Sequence, residues 1–178
     1  AFPGYDTASL EAAAIPMDID DDDFSIKAGL LRTLADENGN LVGIKDSGGD
    51  LRVSQEYKQT CPRLQVFVGS DRGALEVLSL GLDGSVTGCG NPVPEFPVNL
   101  QARFTSGDKQ AAYDIQQAFD VWTSFRESLA VKDLSAVKAA LGARIPGFPP
   151  HVRPPFVAAD GSAIDLIRRT LKEKILPL

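Results

Sequence analysis

Two short apolar runs, Leu41-Val42-Gly43-Ile44 and Leu64-Gln65-Val66-Phe67-Val68, and a third strand-like run, Gly84-Ser85-Val86-Thr87-Gly88, recur about every twenty residues. Runs of this length read as strands rather than helices. Between them lie two helix-like stretches, from about Asp50 to Thr60 and from Ala74 to Leu80. A strand followed by a helix and a further strand is the pattern of a parallel βαβ unit, because parallel neighbours need a crossover connection. The expectation is therefore an α/β fold built on a parallel sheet.

The flanks differ from this centre. Ala1-Phe2-Pro3-Gly4 reads as the tail of a strand running into a loop. Asp20-Asp21-Asp22-Asp23, followed by Phe24, Ile26, Ala28, Leu30, Leu31 and Leu34, reads as the acidic start of an amphipathic helix that Asn38-Gly39-Asn40 ends. From Pro94 onward only helical spacing is found, over Val98–Ser106, Lys109–Leu129, Leu134–Leu141 and Ser162–Ile175. The organisation expected is thus 1–93 as a strand-and-helix segment and 94–178 as helices.

Composition narrows the function. A formal net charge of −6 and a pI near 4.8 argue against nucleic acid, which needs a basic face. No run of about 18 apolar residues is present, so no membrane partner is expected and a cytoplasmic location is the simplest reading, although a removed targeting peptide would leave no trace. Cys61 and Cys89 are the two cysteines, read as buried idle thiols; with His151 the single histidine, neither a metal site nor a serine triad is expected.

The residue with the clearest chemical potential is Lys45, directly after the first apolar run. An ammonium is costly to bury, and desolvation favours a neutral amine, which attacks carbonyl carbon. A lysine at a strand end also commonly snorkels to solvent, so the position alone leaves both readings open.

A longer set of motifs adds to this. Gly43-Ile44-Lys45-Asp46-Ser47-Gly48-Gly49-Asp50, then Val66-Phe67-Val68-Gly69-Ser70-Asp71, then Gly81-Leu82-Asp83-Gly84-Ser85-Val86-Thr87 together resemble the dihydrodipicolinate synthase/N-acetylneuraminate lyase family of class I aldolases. The Lys-Asp-Ser-Gly-Gly-Asp form looks most like the 4-hydroxy-2-oxoglutarate aldolase and 2-keto-3-deoxy-sugar-acid aldolase members. Gly107-Asp108-Lys109-Gln110-Ala111-Ala112 and Val152-Arg153-Pro154-Pro155-Phe156 look like the family's helical C-terminal region.

The resemblance implies the C-terminal part of a TIM (β/α)8 barrel, comprising the end of strand five and strands six to eight, followed by a helical region. Lys45 would be the Schiff-base lysine, and Ser47, Gly69 and Val86 would contact a 2-keto acid such as pyruvate; no cofactor or metal is implied. Ser47 could equally cap the next helix, Gly69 could serve only the turn, and Val86 could be an ordinary core residue. The family's strand-five Tyr would fall just before residue 1, Tyr5 does not match it, and Asp6 to Pro16 is longer than the usual loop there. Because 178 residues fall short of the roughly 250 of a complete barrel, the expectation is that this is a fragment of a longer enzyme, that a complementary chain supplies the first half, or that homo-oligomerisation buries the open face. Two alternatives accompany the lyase reading: a non-catalytic fragment or interaction subunit, and a dihydrodipicolinate synthase-type enzyme.

Overall fold

The computed structural model describes residues 17–18, 26–131 and 133–177. Ala1-Phe2-Pro3-Gly4, Tyr5, the 6–16 stretch and the four consecutive Asp lie outside the described residues. The chain divides into two compact units, Ala1–Ser70 with Glu76–Val86, and Asp71–Leu75 with Thr87–Leu178.

The first unit holds a four-stranded, wholly parallel sheet in the order β1 (Met17–Asp18), β2 (Gly43–Asp46), β3 (Gln65–Gly69) and β4 (Gly84–Val86). Helices α1 (Ala28–Glu37), α2 (Leu51–Thr60) and α3 (Ala74–Ser79) alternate with the strands. Ile44, Val66 and Val68 project from one face of the sheet and are at most 3% exposed. They form a core with Ala28, Leu31 and Ala35 of α1, Tyr57 of α2 and Val77 of α3. The three α1 residues recur at helical spacing, so one stripe of that helix meets the sheet. Asn38 ends α1, its backbone and side-chain N–H groups both donating to the Leu34 carbonyl.

Several boundaries differ from expectation. Helix α1 starts at Ala28 behind Lys27, with no acidic residue in its first turn. The helix begins where its buried stripe begins. Strand β2 runs two residues past the apolar run, so Lys45 lies inside it rather than after it. Ladder pairing needs only backbone groups, and the register Lys45↔Phe67 and Asp46↔Val68 continues through both charged residues. Nor is β2 buried on both faces, because Lys45 is only half-buried. The two-residue β1 was not anticipated; it pairs Met17 with Lys45 and Asp18 with Asp46.

The second unit contains α4 (Glu95–Thr105), α5 (Lys109–Ser128), α6 (Asp133–Arg144) and α7 (Gly161–Thr170), the last continuing into a π-helical turn, Leu171–Ile175. Helix α4 begins three residues earlier than its apolar spacing suggests, with Pro97 in its first turn, where a missing N–H costs nothing. Its core gathers Val93, Phe96, Phe119, Trp122, Ala136, Ala140, Ile167, Leu171 and Ile175. The Trp122 indole N–H, buried in this core, donates to the Cys89 carbonyl at 2.8 Å. The Asp71 carboxylate accepts from Thr87 at 2.7 Å and from Arg126 at 2.9 Å. No helix among the described residues is long and apolar enough to cross a membrane.

Candidate active site

Side chains alternate across a strand, and in a parallel sheet residues paired in register share a face. Lys45, Phe67 and Gly84 are aligned across β2, β3 and β4, with Gly69 and Val86 aligned one step further along. All five therefore belong to the face opposite the helices, with Lys45, Gly69 and Val86 at or next to the C-terminal ends of their strands. Exposure agrees with this: Phe67 is half-buried and Val86 is 46% exposed.

The Lys45 Nζ donates to Ser47 Oγ at 2.7 Å. A side chain built onto Gly69 would place its Cβ 2.8 Å from Ser47 Oγ and 3.2 Å from both Cε and Nζ of Lys45. Gly69 is thus a glycine because the lysine and serine occupy the space a side chain would take. Its φ is not in the left-handed region, so a strained turn does not explain it. Gly84 does have a positive φ, of 152°, and its open side admits the Phe67 ring, which would lie 3.5 Å from an added Cβ.

Ser47 does not cap helix α2. That role belongs to Asp50, whose carboxylate accepts from the Arg52 backbone N–H, and the Ser47 hydroxyl is left to meet the amine. The Arg52 guanidinium also binds Asp50, and these two hydrogen bonds hold the Asp50 carboxyl below its ordinary range.

On the far side of β2, Asp46 is 1% exposed and accepts from two donors. Gly48 N–H reaches its Oδ1 at 2.8 Å, and the Ser54 hydroxyl of α2 reaches its Oδ2. Sequence reasoning missed this pair and the Phe67 ring. Ser54 looks like an ordinary helix residue until β2 and α2 are packed together, although the placement of Phe67 beside Lys45 follows once the register is known. Of the residues expected at the site, Lys45, Ser47 and Gly69 come together, while Val86 is related to them by register, beside Gly69 on the next strand.

Residues 23–174 match the dihydrodipicolinate synthetase family. The chain belongs to this family. An uncharacterized DapA-like lyase of Pyrococcus horikoshii is 34% identical over 144 residues, covering 78% of this chain and 49% of the relative. A 2-dehydro-3-deoxy-phosphogluconate/2-dehydro-3-deoxy-6-phosphogalactonate aldolase of Sulfurisphaera tokodaii is 34% identical over 113 residues, covering 61% of this chain and 38% of the relative. The crystal structure of YagE, a prophage protein of the dihydrodipicolinic acid synthase family from Escherichia coli K12 in complex with pyruvate, superposes with a TM-score of 0.73 at 24% identity. It covers 90% of this chain and 55% of YagE. The fold is therefore that of the family's TIM barrel, of which the parallel strands and alternating helices form a part. The chain spans about half the length of the curated relatives it matches.

Neither cysteine belongs to this arrangement. Cys61 and Cys89 are free and buried, and burial pushes both thiols up.

Proposed function

We propose that this chain carries the nucleophile of a class I, Schiff-base-forming lyase that acts on a 2-keto acid, with Lys45 as the reacting amine. The observation that carries the reading is the position of Nζ. It lies 2.7 Å from a hydroxyl and beside a glycine that leaves room for it, at the C-terminal edge of parallel strands where barrel folds carry their chemistry.

In this reading the neutral amine adds to the ketone carbon to give a carbinolamine, which takes up a proton from solvent on its hydroxyl and loses water to form an iminium. The positive nitrogen then accepts the electron pair released when the carbon–carbon bond two atoms away breaks. Ser47 holds the amine before attack, and Gly69 and Val86 border the space beside it. Strands β2, β3 and β4 serve as the sixth, seventh and eighth of the barrel. A 4-hydroxy-2-oxoglutarate-type or 2-keto-3-deoxy-sugar-acid aldol cleavage suits the Lys-Asp-Ser-Gly-Gly-Asp motif. A synthase would use the same iminium and differ only in the acceptor, so product analysis separates the two.

Incubation with pyruvate and borohydride is expected to fix one adduct, mapped by peptide mass spectrometry to Lys45 and abolished in Lys45→Arg. A folded sample that stays unlabelled at Lys45 overturns the reading.

The exposed Val86 and half-buried Phe67 on the Lys45 face of the sheet support a further element of the proposal: a second copy or a complementary chain completes the barrel. Sedimentation showing only monomer at the concentration where trapping occurs overturns that element. The chain's span of about half its relatives' length favours a second reading, a non-catalytic segment of the same fold. Aldol cleavage by the 178-residue chain alone excludes it.

A further inference from the structure

We propose that Asp46 and Ser54 are positioning residues for Lys45, acting from the side of the sheet that substrate never meets. The inference rests on the Lys45 reading above but is tested separately from it.

Lys45 and Asp46 are consecutive strand residues, so their side chains leave β2 on opposite faces. The Lys45 amine ends against Ser47, while the Asp46 carboxylate is sealed against the helices. Ser47 sits between Asp46 and Gly48, in the stretch that leaves the strand and leads to α2. Two hydrogen bonds determine that path. Gly48 N–H donating to Asp46 Oδ1 closes the chain around Ser47, and Ser54 Oγ donating to Asp46 Oδ2 ties the closed turn to the second turn of α2.

A carboxylate this buried holds its donors firmly, because no water competes for it. The Ser54 hydroxyl makes its hydrogen bond to Asp46, eight residues back, across the turn. The turn is thereby fixed to a helix rather than left to a flexible Gly48-Gly49 pair, and the Ser47 hydroxyl is delivered to the amine at 2.7 Å. Without the tie, the two glycines allow the turn to drift. A displacement of well under an ångström is enough to spoil the approach of the nitrogen to a ketone carbon.

The experiment uses the full chain and the variants Ser54→Ala, Ser54→Thr, Ser47→Ala and the double variant S47A/S54A, none of which changes charge. Two readouts are taken: the rate of pyruvate trapping by borohydride, and the rate at which acetic anhydride labels Lys45 relative to exposed Lys109 with no keto acid present. Ser54→Ala is expected to lower trapping about tenfold, in line with the usual cost of losing an orienting partner. Ser54→Thr keeps the hydroxyl and restores the rate. In both readouts S54A moves to the S47A value, and the double variant coincides with S47A, because Ser54 acts only through Ser47.

Wild-type values in S54A, or losses that multiply in the double variant, overturn the proposal, and circular dichroism of each variant separates either result from unfolding. Should the wild type fail to trap pyruvate while S54A and S47A still coincide in anhydride labelling, the Schiff-base reading fails and the positioning role stands.

Discussion

Gly69→Ala isolates the contact that organises the candidate site. The backbone at Gly69 is outside the left-handed region, so alanine meets no conformational strain there. A strand glycine replaced by alanine in a compatible conformation gains about 0.4–1 kcal/mol by restricting the unfolded chain. Against this stands the new methyl, 2.8 Å from Ser47 Oγ and 3.2 Å from Lys45 Nζ and Cε. Ordinary contact begins near 3.4 Å, so the hydroxyl must retreat by about 0.6 Å and the amine by about 0.2 Å. Overpacking of this kind costs about 1–3 kcal/mol when the surroundings resist, and less when two side chains can turn away. Net destabilisation is therefore expected to stay below about 2 kcal/mol. Function is expected to suffer more: a 1 Å misplacement can cost about a hundredfold, so a shift of a few tenths costs about tenfold in pyruvate trapping.

Urea denaturation and borohydride trapping measure the two effects on one sample. In a Ser47→Ala background the 2.8 Å collision disappears, and the loss caused by Gly69→Ala is expected to shrink. Trapping at the wild-type rate in G69A, or an undiminished loss when Ser47 is alanine, refutes the argument that Gly69 makes room for the amine and its hydroxyl.

Asp83→Ala tests how the register of the sheet is held. The Asp83 carboxylate accepts from Val66 N–H at 2.8 Å and from Lys58 Nζ at 2.8 Å, while its own N–H donates to the Val66 carbonyl. Removing it strands a buried strand donor and is expected to cost about 1–3 kcal/mol by urea denaturation, with faster hydrogen exchange at Val66; an unchanged midpoint counts against it. Cys89 makes stability pH-dependent. Burial raises its folded pKa above the unfolded value of about 8.5, so the folded state binds the extra proton between the two. The contribution is complete below the unfolded pKa and is lost as pH rises from there through the folded one. The melting temperature of the wild type should thus fall more steeply than that of Cys89→Ala as pH rises above about 8.5, and parallel slopes contradict the assignment.

The parallel βαβ core was legible because its strands are short apolar runs and its turns are rich in Gly, Asn and Asp. Lys45 was legible because an ammonium beside such a run is out of place. Boundaries were less so. Strand β2 continues through Lys45 and Asp46, since the ladder is made of backbone groups and does not require apolar side chains. The same reason hides β1, whose two residues are recognisable as a strand only by pairing with Lys45 and Asp46. Helix α1 starts at Ala28, the first of the residues Ala28, Leu31 and Ala35 that it buries against the sheet.

Local pattern, read along the chain, determined the order of the three main strands and the helices between them, marked Lys45 as a candidate, and carried the family in its ordered motifs. Tertiary structure alone decided that Ser47 meets the amine while Asp50 caps the helix, that Gly69 is empty because Lys45 and Ser47 fill its space, and that Ser54 is bonded to Asp46. Periodicity reports which side of an element is buried, whereas a hydrogen bond or a steric exclusion depends on the distance between atoms of different elements, and that distance is set only when the elements pack.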